Sequence, residues 1–210
     1  MYDTILFLHI AAGVVALATA GVALVAHKGA RVHRLSGRTY AAAMLGVGLT
    51  TFALVALKPN AFLFAIGIFS LYLVFTGWRA ARLRDGRPRG ADHAAGGLMA
   101  LTGGVMMAAG LGELLSGGSQ PVILLVFGSI GLTLALTDWR DWRRGPVQGG
   151  ERIGRHLTRM LAGTIATLTA AAVVNLDFLP PLVTWLGPTV LITPAIFWWN
   201  RRVRRAPAAA

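Results

Sequence analysis

The sequence predicts an all-α integral membrane protein, a bundle of seven transmembrane helices, and three observations carry that prediction. Seven apolar runs each reach about 20 residues, the length an α-helix needs to cross a hydrocarbon core of about 30 Å. Only 13% of the 210 residues are charged, where a soluble domain carries roughly 25%, so there is too little polar surface to coat a water-facing globule. Nineteen of the 20 Lys and Arg residues fall in alternate connections of the seven runs, on one side.

The first helix is expected from about Thr4 to Ala26, with His9 on the same face as Ala12, Ala16 and Ala20. Small residues at four-residue intervals let a second helix approach closely. Met1-Tyr2-Asp3-Thr4 lacks the basic region of a signal peptide, so the run reads as a retained span. A basic loop, His27 to Arg34, leads to a second helix over about Leu35–Leu57, with Arg38 and Tyr40 in its first turns. Pro59 marks a turn, because it cannot continue the preceding hydrogen-bond ladder.

The third helix is expected over about Ala61–Ala80, ending Thr76-Gly77-Trp78-Arg79-Ala80-Ala81-Arg82. The polar loop Arg84 to Gly90 follows, and Asp92 suits the cap of the fourth helix, where a carboxylate accepts backbone N–H bonds. That helix, to about Leu115, carries Gly96, Ala100, Gly104, Ala108 and Gly112 at strict four-residue intervals. The ridge points to a central position for it. The fifth helix, about Pro121–Trp139, ends Thr137-Asp138-Trp139-Arg140-Asp141-Trp142-Arg143, repeating the Thr-x-Trp-Arg-x-x-Arg of the third. The sixth is expected over about Arg155–Asn175 and the seventh over about Leu182–Asn200, where Pro188 and Pro194 predict kinks. Residues 1–200 thus form one transmembrane domain, followed by a basic tail over 201–210.

The basic connections set the orientation. They join helices 1 to 2, 3 to 4 and 5 to 6, continue in the tail, and leave only Lys58 opposite. The positive-inside rule places that side in the cytoplasm, with the N-terminus outside and the C-terminus inside. This distribution explains the net charge of +12 without nucleic acid and predicts contact with anionic lipid head groups. The absence of cysteine excludes disulfides, thiolate catalysis and cysteine-ligated metal centres.

Each of those three basic loops is followed by one histidine near the start of an even-numbered helix: His33, His93 and His156, at intervals of 60 and 63 residues. The spacing suggests three hairpins of like topology plus a seventh helix. Neutral imidazoles at one depth are candidate ligands for zinc or for the iron of a b-type haem in electron transfer, with Asp92 and Asp138 the nearest carboxylates. Arg155 and Arg159, one turn apart and flanking His156, form with Arg38 a candidate site for an anion or a lipid head group. Snorkelling to the basic face is the simpler expectation for Arg159. His9 stands apart near the outer side, where an interhelical hydrogen bond accounts for it.

Several marks together resemble a group of bacterial multi-pass membrane proteins catalogued as a domain of unknown function. They are His9, His27-Lys28-Gly29, His33-Arg34, Gly37-Arg38-x-Tyr40, Tyr72, Gly77-Trp78-Arg79, Arg159-Met160, Thr169, Val174-Asn175 and Trp185-Leu186-Gly187-Pro188-Thr189. The resemblance spans nearly the whole chain. It implies a protein of the bacterial inner membrane and no particular activity. Four functions therefore stand open: a haem or metal protein using the histidines, a transporter or lipid- and anion-binding protein using Arg155, His156 and Arg159, a membrane-embedded zinc hydrolase, or a structural or assembly subunit. A homo-oligomer or a membrane-complex partner fits any of them.

Overall fold

In the computed structural model, residues 1–118 and 120–205 are described, without the side chains of 204 and 205. The described residues form seven α-helices and no strand: α1 Tyr2–Val25, α2 Arg31–Leu57, α3 Ala61–Arg82, α4 Gly90–Ser116, α5 Pro121–Arg144, α6 Gly149–Asn175 and α7 Pro181–Arg205. All seven are long and apolar enough to cross a membrane. Their outward faces carry exposed Phe7, Leu49, Leu101, Val105 and Leu191, a surface suited to lipid rather than water.

The helices run beyond their apolar runs at the basic end. α2 and α6 begin four and six residues earlier than the hydropathy pattern predicts, and α3 and α5 extend past their tryptophans. Hydropathy marks the hydrocarbon core, whereas the backbone ladder continues into the head-group zone, where arginine is welcome. α7 likewise runs through the first residues expected as a tail, to Arg205; positions 206–210 lie outside the described residues. Asp92 is not the cap of α4. That place falls to Arg89, and Asp92 sits three residues on, accepting the Arg89 backbone N–H at 2.8 Å.

Packing is closest within three sequential pairs, α1 with α2, α4 with α5 and α6 with α7. α3 lies at the junction, against α6, α2 and α4. The pairing therefore differs from hairpins drawn around the basic loops, since only α1 and α2 among the loop-linked helices pair closely. α4 is not the central helix; α3 and α6 carry the most buried spans. The expected ridge of α4 does not supply its contact face either, because Ala108 and Gly112 are exposed. The buried stripe is Gly96, Met99, Thr102, Gly103, Met106 and Gly110. At its centre Gly103 meets α5 backbone to backbone, and a Cβ there would lie 2.9 Å from Leu132 N and 3.0 Å from Gly128 O.

α1 behaves as its sequence predicts. Ala16 and Ala20 are buried, and His9 Nδ1 is 3.0 Å from Thr50 Oγ1 of α2. The main apolar core lies between α3, α4 and α5, around Phe69, Leu73, Met99 and Phe127.

Candidate functional site

α5 and α6 share little backbone contact, yet two arginines of α6 bridge to aspartates of α5. Arg159 Nη2 donates to Asp138 Oδ1 at 2.7 Å and to the Leu134 carbonyl at 3.0 Å. One turn towards the basic end, Arg155 donates to Asp141 Oδ2 at 2.6 Å and stands 3.7 Å from Asp138 Oδ1. From α3, the Tyr72 hydroxyl donates to Asp138 Oδ2 at 2.5 Å, and the Arg159 guanidinium lies over the Tyr72 ring at 5.0 Å. Asp138 and Arg159 are 1% and 3% exposed. Arg159 is ten residues into α6, roughly 15 Å along the axis at 1.5 Å per residue.

Arg159 thus does not snorkel. Its guanidinium turns sideways to a carboxylate on the neighbouring helix, which offsets the cost of burying both charges. Its Nη1 has no hydrogen-bond partner among the described residues. The room for α6 to approach comes from Gly77 of α3, where a Cβ would lie 3.0 Å from Arg159 Cβ and 3.2 Å from Met160 N. Gly77 and Asp138 hold equivalent places in the two Thr-x-Trp-Arg-x-x-Arg segments. One copy of the repeat makes space for Arg159, and the other supplies its counter-charge.

A cavity of about 40 Å³ reaches this cluster from the basic end, lined by Arg79, Arg87, Arg152, Arg155, Asp92 and Asp138 among others. Arg79 forms a two-point ion pair with Asp92, through Nε at 2.8 Å and through Nη2. Arg152 donates to the last carbonyls of α3, Ala80 at 2.7 Å and Ala81 at 3.1 Å, where a cation is favourable at a helix C-terminus.

The structure brings two of the three histidines together. His33 and His156 stand edge to face with ring centres 6.4 Å apart. Each donates an N–H from Nδ1 to a main-chain carbonyl, His33 to Ala23 at 3.0 Å and His156 to Gly77 at 2.9 Å. His93 does not join them. Its helix packs on α5 and α3 without extensive contact to α2 or α6, and its ring lies 4.5 Å from that of Trp142. Asp92 and Asp138 are engaged by arginines, and among the described residues no three of His, Asp and Glu converge to hold a metal. Arg38 is exposed on α2, away from Arg155 and Arg159 in the lining of a separate groove.

Comparison with family models, curated proteins and solved structures yields no match for this chain. The site is therefore read from its own chemistry. Tyr72, Asp141 and Arg152 are members that pattern reading passed over as site residues. The repeated Thr-x-Trp-Arg-x-x-Arg segment was the available signal for Asp141, which lies within its second copy.

Proposed function

We propose that this is an integral membrane protein that binds a small oxyanion, bearing phosphate or carboxylate, in the arginine-lined cavity at its basic end. The observation that carries the reading is the charge left over around that cavity. Its lining carries Arg79, Arg87, Arg152 and Arg155 against Asp92 and Asp138, an excess of two positive charges. Arg87 and Arg152 have no carboxylate partner among the described residues. Size narrows the ligand: a water needs about 10–15 Å³ of such space, so about 40 Å³ suits one oxyanion and not a nucleotide. By the positive-inside rule the cavity opens to the cytoplasm of a bacterial cell, which suits a transporter or sensor of a cytoplasmic anion.

Calorimetry with inorganic phosphate and with succinate, on protein in nanodiscs of zwitterionic lipid, tests this reading. Saturable binding of one of them is expected, weakened about tenfold or more in Arg87→Ala and in Arg152→Ala, a loss of about 1.4 kcal/mol each. Absence of saturable heat with both anions, or unchanged affinity in Arg87→Ala, rejects it.

A second reading is favoured by one specific observation. With Nδ1–H of both His33 and His156 given to carbonyls, each ring keeps its Nε2 lone pair, the arrangement typical of metal-ligating histidines. Zinc or the iron of a b-type haem would suit such a pair, with remaining positions filled from outside the protein. An optical spectrum and metal analysis decide it; a colourless preparation that takes up neither haem nor zinc ends it. The zinc-hydrolase reading loses its carboxylates, since Arg79 and Arg159 hold Asp92 and Asp138.

A further inference from the structure

A second, larger cavity lies on the other side of Tyr72. It is a groove of about 660 Å³ between α2 and α4, floored by α3 and open along the outer surface of the bundle. Its walls are small or apolar, with Ala42 and Phe52 of α2 and Ala95 of α4 among them, and Arg38, Trp78 and Arg82 gather at its basic end. From these observations we infer that the groove holds one anionic phospholipid, its phosphate between Arg38 and Arg82 and an acyl chain along α3.

Three features select this occupant. The first is length. Arg38 and Phe52 bound the groove on α2, and Ile68 and Arg82 bound it on α3, 14 positions apart in each case. At 1.5 Å per residue that is about 21 Å, the depth of one leaflet's hydrocarbon, about 15 Å, plus its head-group layer of about 6 Å. The second is charge. Neither Arg38 nor Arg82 has a carboxylate partner among the described residues, and Arg82 is steadied over the Trp78 ring at 4.9 Å. Two cations at the head-group end of an otherwise apolar channel match a lipid phosphate and leave a zwitterionic lipid's choline unmatched. The third is placement, because the exposed rim residues Leu45 and Leu98 belong to the apolar outer surface where lipid lies. The groove is separate from the arginine-lined cavity, and its occupant does not depend on the anion reading.

Native mass spectrometry of the protein released from nanodiscs of equal phosphatidylglycerol and phosphatidylcholine tests the inference. One retained phosphatidylglycerol per chain is expected, preferred roughly 30-fold, since each arginine near an anionic head group contributes about a factor of five. Arg38→Gln with Arg82→Gln brings the preference close to unity. Ala42→Leu with Ala95→Leu fills the channel and removes the retained lipid, at wild-type helix content by circular dichroism. Arg87→Ala leaves lipid retention unchanged, which separates this site from the anion cavity. Equal retention of the two lipids, an unaltered preference in the double arginine variant, or a dimer that crosslinks through Ala42→Cys and covers the groove would each overturn it.

Discussion

Arg159 and Asp138 show what a single side chain decides here. A buried ion pair gains little over an apolar pair of similar volume, but removing one partner strands the other charge at a cost of about 3–5 kcal/mol. Arg159→Met and Asp138→Leu are therefore each expected to destabilise the protein by that order, while the double variant recovers most of the loss. A double-mutant cycle on thermal unfolding in detergent measures this, and additive losses would refute the pairing. Tyr72→Phe removes one donor from Asp138 and leaves the ion pair, so a smaller loss of about 1–3 kcal/mol is expected. Both partners were visible in the sequence as candidates, but with different roles, Arg159 as an anion-binding or snorkelling cation and Asp138 as a metal ligand. Periodicity places a residue on its own helix and says nothing of the side chain opposite.

At the scale of elements, glycine separates contact faces that composition leaves mixed. Gly103 and Gly104 are neighbours in α4, yet a Cβ on Gly103 meets the α5 backbone at 2.9 Å while one on Gly104 meets nothing within 4 Å. Gly103→Ala is expected to cost about 1–3 kcal/mol through overpacking. Gly104→Ala is expected to be neutral or to stabilise by up to about 1 kcal/mol, from helix propensity alone. Equal melting temperatures for the two variants would contradict the assigned face. Gly77→Ala, pressing on Arg159 and Met160, should lower stability and loosen the α3–α6 contact together, read as faster hydrogen exchange in both helices. The four-residue ridge of α4 misleads for a geometric reason: glycine and alanine are common on every face of this helix, so one row chosen by interval competes with others equally small.

For the whole molecule, the charge asymmetry makes a topological prediction. The positive-inside rule expects a fluorescent protein fused after Ala210 to fold and glow on the cytoplasmic side, and alkaline phosphatase at the same point to be inactive. The opposite result reverses the orientation and moves the arginine-lined cavity to the outer side. Tyr72 links the two cavities, lining the larger groove while its hydroxyl donates to Asp138, which lines the arginine-lined cavity.

Seven helices, the apolar stretch of each and their alternation of basic and plain connections were legible in the residues alone. Each follows from transfer of apolar surface and charge between water and hydrocarbon, which depends on composition along the chain and not on neighbours. An interhelical hydrogen bond from His9 was also expected, and the structure supplies its partner, Thr50 of the closely paired α2. Which helices adjoin across the bundle was decided only in three dimensions. There α3 takes the centre, His33 finds His156 and not His93, and Arg159 reaches α5. In an apolar bundle every helix is greasy on most sides, so hydrophobicity cannot choose partners; close glycine contacts and a few buried charges do.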